Sequence, residues 1–410
     1  MKNINNCRCR ICKKITNKVF FDLGYSPLAN SNLSYQKEKE IYLPLKVFFC
    51  SNCKLAQIPD HHLKKKIFNN YDYLSSYSTS WLKHSKNYFN KIVNFAKLNE
   101  NSKICEVASN DGYLLQFFKK KKYKILGIEP SKNVAKLARD KGIPSETLFF
   151  GYKTSKIIKK KYGEQDLIIA NNVLAHVPNI LDFAKGLKTL ISRTGIVTIE
   201  FPHIYNLIKK IQFDTIYHEH FSYLSVQAIK KGFSKFNLEI FKIERLKTHG
   251  GSLRVYLKTK ENKKFKKFKS VEYVLKLEKK SKIFSKKSFF DFEKKVKKIK
   301  EKLTHLLIKL KLENKKVVGY GAAAKGNTLL NYCLIDNSLI PYIADKNTLK
   351  VGKFTPGSKI PIINLNRLKK EKPDFILILP WNLKDEIIKQ LKNFKIKSKY
   401  LIALPNIKII

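Results

Sequence analysis

The sequence predicts an α/β protein whose centre is a doubly wound, mostly parallel sheet, flanked by a small N-terminal metal-type module and a second, smaller doubly wound C-terminal domain. Three observations carry this. Residues 102–202 alternate short apolar runs with helical ones; a second strand-turn-helix unit, KKVVGYGAAAKGNTLLNYC, starts near residue 315; and two Cys-x2-Cys pairs fall before residue 54. Alternating β and α signals imply a parallel sheet covered on both faces, and 410 residues exceed what one core of ~100–200 residues needs.

Taken in order, residues 1–68 have few long apolar runs, so a module this small needs a staple. Residues 69–258 open on the Tyr- and Ser-rich piece YDYLSSYSTSWLKH and an amphipathic helical pattern. KICEVAS, YKILGIEP, DLIIANNVL and TGIVTIEFP then read as strands, with LLQFFKK, NVAKLARDKG and ILDFAKGLKTLI as the helices between them. Residues 259–314 are a Lys-rich helical connector in which Phe292, Val296, Ile299, Leu303, Leu306 and Leu310 form one apolar stripe, with a coiled-coil dimer seam as its alternative use. Residues 315–410 add the strand-like LIPYIAD and DFILILP and read as a Rossmann-like domain.

The formal charge of +51 suggests an anionic partner, yet only seven of the 83 basic residues are Arg, and the lysines run through nearly every segment. Abundant Lys, Asn, Ile, Tyr and Phe beside scarce Gly, Pro, Met and Trp fit a codon bias better than a nucleic-acid footprint, although the field still favours a phosphate-bearing ligand. No run approaches the ~20 apolar residues of a membrane span, and the polar N-terminus has no signal core. A cytoplasmic protein, monomeric or homodimeric, is expected.

Cys9-x2-Cys12 and Cys50-x2-Cys53 supply four thiolates with the spacing of a closed structural zinc site; Cys7 competes for the place of Cys9, and buried free cysteines are the plain alternative. The segment Glu106-Val107-Ala108-Ser109-Asn110-Asp111-Gly112 ends a strand and opens a helix, where open sheets bind small ligands. Glu129, followed by Pro130, ends the next strand, where a carboxylate can accept both hydroxyls of a ribose. Asp166 opens the fourth strand and Asn171, Asn172 and His176 follow it at the mouth of the sheet, which favours S-adenosylmethionine over a dinucleotide. Residues 213–225, FDTIYHEHFSYLS, gather titratable groups among aromatics. If that stretch is helical, Tyr217 and His220 share a face; satisfied core histidines or a His218-x-His220 metal pair are the alternatives.

Ten stretches in the same order, among them LGYSPLAN, FFCSNCKLAQ, EVASNDGYLL, NNVLAHVPN, DTIYHEHFSYLS, HGGSLRVY and GYGAAAKGNTLLNY, resemble the sugar C-methyltransferases of deoxysugar pathways, from Cys9 to about Ile388. The resemblance implies an N-terminal zinc module, a central class I adenosylmethionine-binding domain, a C-terminal Rossmann-like domain and a nucleotide-linked keto sugar as substrate. It implies His220 as base, with Tyr217, Glu219, Asn172, His176 and Tyr73, or Tyr71 in its place, orienting the sugar or stabilising an enolate, and Glu219 holding His220 or a sugar hydroxyl. Ala108 departs from the glycine commoner in such cofactor loops. A histidine base with phenol and amide donors suits removal of a proton beside a ketone.

The turn Gly319–Gly326, with Gly321 and Lys325, offers backbone N–H groups at a helix start and suits a diphosphate, or is only architecture. HGGSLR brings His249 and Arg254 as a tight turn or as substrate contacts. Two rivals stand beside the methyltransferase: a zinc-containing nucleic-acid-binding protein, from the cysteines and charge, and a nicotinamide-dependent sugar enzyme, from GYG and Asp345.

Overall fold

The computed structural model describes residues 4–61 and 74–410. At the N-terminus a two-stranded ribbon, β1 (Cys7–Arg8) and β2 (Ile15–Thr16), precedes β3 (Val19–Pro27), β4 (Tyr42–Cys50) and β5 (Leu55–Gln57), which form an antiparallel sheet.

Helix α1 (Thr79–Ala96) then begins at Ser78, whose side chain accepts the Trp81 N–H, and ends at Lys97 in the left-handed region. The central unit follows as β6 (Lys103–Val107), α2 (Leu115–Lys119), β7 (Lys124–Ile128), α3 (Lys132–Asp140), β8 (Ser145–Glu146), α4 (Tyr152–Tyr162), β9 (Gln165–Asn171), α5 (Ile180–Leu190) and β10 (Ile191–Pro202). After α6 (Ile204–Lys209), the two-residue β11 (Ser222–Tyr223) pairs with β5, so the N-terminal sheet runs β11-β5-β4-β3. Then come α7 (Val226–Phe233), β12 (Leu238–Leu246) and β13 (Ser252–Thr259).

The central sheet has the order β12-β13-β10-β9-β6-β7-β8, with β13 antiparallel to both neighbours and the strands from β10 to β8 parallel. The chain reverses direction across the sheet between β6 and β9, so the crevice for a ligand lies at their carboxyl ends. Residues 102–202 form the strands and helices expected of them. The hairpin β12–β13 was not anticipated: β13 is buried at every residue, and a strand covered on both faces lacks the alternation that marks one in a sequence.

Helices α8 (Lys269–Lys280) and α9 (Lys286–Leu312) lead into the C-terminal unit: β14 (Val317–Tyr320), α10 (Ala324–Cys333), β15 (Ile343–Asp345), β16 (Ile362–Asn364), α11 (Asn366–Glu371), β17 (Phe375–Ile378), α12 (Lys384–Asn393), β18 (Lys399–Ile402) and β19 (Lys408–Ile409). Its sheet order is β16-β15-β14-β17-β18-β19, parallel except for β19, with the switch between β14 and β17.

The apolar stripe of α9 is not left for a dimer seam. Phe289 and Phe292 pack on Phe20 at ring-centroid distances of 4.8 and 5.2 Å, and the stripe continues into a core shared with the C-terminal sheet. Leu307 is buried with Leu303 and Leu310, whereas the expected Leu306 is half-buried against the same core.

Candidate functional site

A cleft of about 420 Å³ is walled by the carboxyl ends of both parallel sheets: Val107, Glu129 and Asn171 from the central one, Tyr320 and Asp345 from the C-terminal one. Both switch points therefore open on the same space.

At the central end, the β6–α2 turn bends through Ala108 (φ 58°), Asn110 (φ 50°) and Gly112 (φ 77°). Gly112 has a steric reason as well, since a Cβ there would lie 2.2 Å from Ile143 Cδ1. Glu129 stands across this turn; one of its oxygens accepts the Asn110 N–H at 3.0 Å and the other the Ser131 N–H at 2.9 Å. Burial raises its pKa, and those bonds counter the rise. Ala108, Asn110, Glu129 and Pro130 line the cleft, with Phe149 and Phe150 as an apolar wall.

Four residues expected at the cofactor are not on this wall. Glu106 and Ser109 are 0 % exposed beneath the turn, and burial drives the Glu106 pKa well above the usual carboxylate range. Asp111 is engaged by Ser76 and by Lys141 Nζ, at 2.9 Å from the latter, and Gly112 serves the bend. Asp166 begins β9 and accepts from the Lys103 main-chain N–H at 2.9 Å, at the end of the strand away from the mouth.

The second part of the cleft holds three histidines. Residues 213–215 form one 3-10 turn, and Tyr217 to His220 is a tight turn instead of a helix, closed by a bond from the His220 N–H to the Tyr217 carbonyl at 2.9 Å. Tyr217 and His220 still meet. The His220 Nδ1–H donates to the Thr215 carbonyl at 2.7 Å, so in the neutral ring Nε2 carries the lone pair and takes the Tyr217 hydroxyl at 2.9 Å. The His176 ring lies 4.6 Å from that of His220. Asn172, at φ 52°, presents Nδ2 to His249 Nε2 at 3.3 Å. Burial, followed by the neighbouring His176, lowers the pKa of His220 well below the ordinary value, while burial takes His176 and His249 each to about 4. All three rings are therefore neutral near pH 7.

Glu219 does not hold His220. Thr215 does so through its main chain, whereas Glu219 accepts the Asn30 N–H at 3.2 Å and is raised to about 7 by burial. His218 is buried off the wall, 5.7 Å from the ring of His61. Arg254 does not reach the cleft either. Its guanidinium, 2 % exposed, pairs with Glu200, and the same carboxylate accepts from Thr248 Oγ1 at 2.8 Å and meets His84 Nε2 at 2.9 Å. HGGSLR is thus a tight turn that sends His249 to the cleft and Arg254 into the sheet. Tyr71 and Tyr73 lie outside the described residues.

On the C-terminal side Gly321, at φ 83°, lies against Pro380, whose Cγ would be 2.5 Å from any Cβ. The Ala322 N–H donates to Asp345 at 2.7 Å, repeating the bond between Asn110 and Glu129. Lys325 Nζ donates to Asn382 at 2.7 Å and lies 5.2 Å from the Trp381 ring, whose Nε1–H reaches Asp214 at 2.6 Å. Burial lowers the pKa of Lys325, and Asp214 opposes it. Trp381, Asp214, Thr215 and His84 were missed from the sequence, because no spacing marks a carbonyl or partners so distant along the chain.

Away from the cleft, the sulfurs of Cys9, Cys12, Cys50 and Cys53 all lie within 4.8 Å of one another, with 3.7 Å between Cys12 and Cys50. Tetrahedral zinc with ~2.3 Å Zn–S bonds spaces its sulfurs ~3.8 Å apart, so the set fits. Cys7 is outside it, its sulfur 2.8 Å from Gln57 Nε2.

Family models match nearly the whole chain: a domain described as zinc binding over residues 9–68, a methyltransferase domain over 81–243 and a C-methyltransferase C-terminal domain over 247–405. The C-methyltransferase NovU of Streptomyces niveus is 28% identical over 405 residues, 98% of this chain and 96% of that one. The chain belongs to the C-methyltransferases. Solved methyltransferases also overlap it: an adenosylmethionine-dependent enzyme from Anabaena variabilis ATCC 29413 (TM-score 0.35, 14% identity, 43% of this chain and 84% of that one) and magnesium protoporphyrin IX methyltransferase from Synechocystis PCC 6803 (TM-score 0.32, 15% identity, 42% and 78%).

In this C-methyltransferase the turn from Ala108 to Asn110, the Glu129 carboxylate and the rings of Phe149 and Phe150 line one end of the cleft, a set whose chemistry fits adenosylmethionine. Glu129 accepts from the Asn110 N–H and from the N–H and side chain of Ser131, and a carboxylate is the acceptor a ribose diol requires.

Proposed function

We propose that this C-methyltransferase acts on the carbon beside the ketone of a nucleoside-diphosphate-linked deoxysugar in the cytoplasm, with His220 as the base. The observation that carries the reading is the pinning of His220: the Thr215 carbonyl holds Nδ1–H, so Nε2 carries the lone pair of a neutral ring at the cleft wall, where the Tyr217 hydroxyl is its partner in the absence of substrate. The Tyr217 hydroxyl turns from Nε2 to the ketone oxygen, Nε2 takes the proton from the substrate carbon, and the C–H electron pair passes to that oxygen as an enolate. Tyr217, the Asn172–His249 pair and Lys325 line the same cleft and supply donors for that oxygen and for the sugar hydroxyls. When bound, adenosylmethionine supplies the electrophilic methyl group that a carbon nucleophile takes. The N–H groups at the start of α10, with Lys346 and Lys350 beside them, suit the diphosphate. Zinc is structural, since its four thiols close the coordination shell. The sugar assignment follows the likeness to the sugar C-methyltransferases.

Solvent deuterium exchange into a panel of 4-keto-deoxysugar nucleotides tests this. Wild type is expected to wash label into the carbon next to the ketone and His220→Asn to lose ~10²-fold or more of that rate. Exchange unchanged in the variant removes His220 as base. Absence of exchange by wild type on every sugar, with adenosylhomocysteine still bound, removes the substrate class.

A further inference from the structure

Arg10 lies between two of the zinc-site cysteines, yet its side chain points towards the histidines. It is 7 % exposed, and its guanidinium gives three bonds to main-chain carbonyls of three separate segments: Ile58 at 2.7 Å, Phe221 at 3.0 Å and Pro178 at 3.1 Å. Its carbon Cζ also sits 5.5 Å from the centre of the Phe221 ring. Phe221 follows His220, and Pro178 stands two residues after His176. A single planar fork therefore joins the chain behind both of the rings that lie 4.6 Å apart in the cleft.

The anchor of that fork is rigid on its own side. The Cys9–Cys12 loop is closed by bonds from Cys9 N–H to the Lys14 carbonyl and from Lys13 N–H to the Cys9 carbonyl, both 2.9 Å, and the Arg10 N–H donates to Gln57 Oε1 at 3.0 Å. Ile58 in turn gives its N–H to the Phe221 carbonyl at 3.1 Å, so β5 and the residue after His220 are stitched together where Arg10 meets them. Burying a guanidinium is costly unless its donors are used, and here they are used to fix loops.

We propose that Arg10 is a positioning residue for His220 and His176, and that through it the zinc knuckle sets the geometry of the methyltransferase active site. The proposal rests on the reading of His220 as base. A displacement of ~1 Å at a reacting group costs on the order of 10²-fold in rate, so loosening these two loops is felt at the proton transfer.

The test uses the full-length zinc-loaded protein with Arg10→Met and Arg10→Lys. Zinc content, adenosylhomocysteine affinity, deuterium wash-in with a keto-sugar nucleotide, and the ring-nitrogen NMR signals of His220, with His249 as internal control, are read together. Both variants are expected to keep wild-type zinc per chain and to bind adenosylhomocysteine within about twofold of wild type. In Arg10→Met, wash-in falls tenfold or more and the His220 signal leaves the pure Nδ1–H form while His249 is unchanged; Arg10→Lys, which keeps one donor centre, lies between. Wild-type wash-in and a wild-type His220 signal in a folded variant overturn the proposal. So does loss of zinc and adenosylhomocysteine binding in both, which marks Arg10 as needed for folding alone. If Arg10→Met does not fold, Arg10→Lys decides by the same readings. If wild type itself washes in no label, the substrate reading fails, and the His220 spectrum still decides the positioning role.

Discussion

Replacing Arg254 by Met tests whether this arginine is a structural ion partner rather than a substrate contact. Burial, the largest influence on Glu200, pushes its carboxyl up, but Arg254, with His84 and Thr248, outweighs burial and holds it at about 2, against an ordinary 4.5. At ~1.4 kcal/mol per pH unit that net gap is worth about 3 kcal/mol for all three partners together, and removing one member of a buried pair costs ~3–5 kcal/mol because the other is left unpaired. Because the folded-state pKa lies below the unfolded one, this stabilisation is present above pH 4.5 and is lost as the pH falls towards about 2. In Arg254→Met, burial prevails and the carboxyl takes up a proton in the folded state at mildly acid pH, which relieves the unpaired charge. Urea unfolding followed by tryptophan emission suits the assay, since Trp81 stacks on His84 at 5.0 Å. The variant is expected to lose about 3 kcal/mol at pH 7 and less at pH 5. A loss below ~1 kcal/mol at pH 7, together with a raised KM for substrate, would refute the ion-pair assignment and return Arg254 to the substrate.

Two further predictions concern the cleft. Burial keeps His220 well below the ordinary histidine value, and a base works when neutral, so wash-in is expected to hold its rate down through pH 6.5 and to fall only in more acid solution; an acid limb centred at pH 7 or above contradicts this. Ala108 holds φ 58°, where a methyl side chain costs on the order of 1 kcal/mol, so Ala108→Gly is expected to bind adenosylhomocysteine at least as tightly as wild type, and a tenfold weakening by calorimetry counts against that account of the turn.

The parts of the molecule legible in its sequence are those that chemistry places locally. The Cys-x2-Cys pairs, the strand-turn-helix at residues 103–119 and the GYG turn each depend on a few neighbouring residues, and each could be named before the structure was. What escaped is non-local or uses the main chain. The orienter of His220 is a carbonyl, which any residue at 215 would supply, and the Glu200, Arg254 and His84 cluster draws on three elements with no fixed spacing. In the sequence HGGSLR leaves Arg254 open between a tight turn and a substrate contact, and alternation along β13 sends it into the sheet, opposite Glu200 in register. Glu219, next to His220, points to Asn30 for a related reason: neighbours in a tight turn diverge.

The pairing of β11 with β5 joins Ala56 and Gln57 to Tyr223 and Ser222, more than 160 residues apart. On the ribosome, the edge of β5 stays open until the segment bearing His220 has been made, and Phe20 and Phe21 await α9 for their cover. The metal-binding module is therefore made before the segments that complete its sheet and cover its core, which ties its completion to that of the methyl-transfer end.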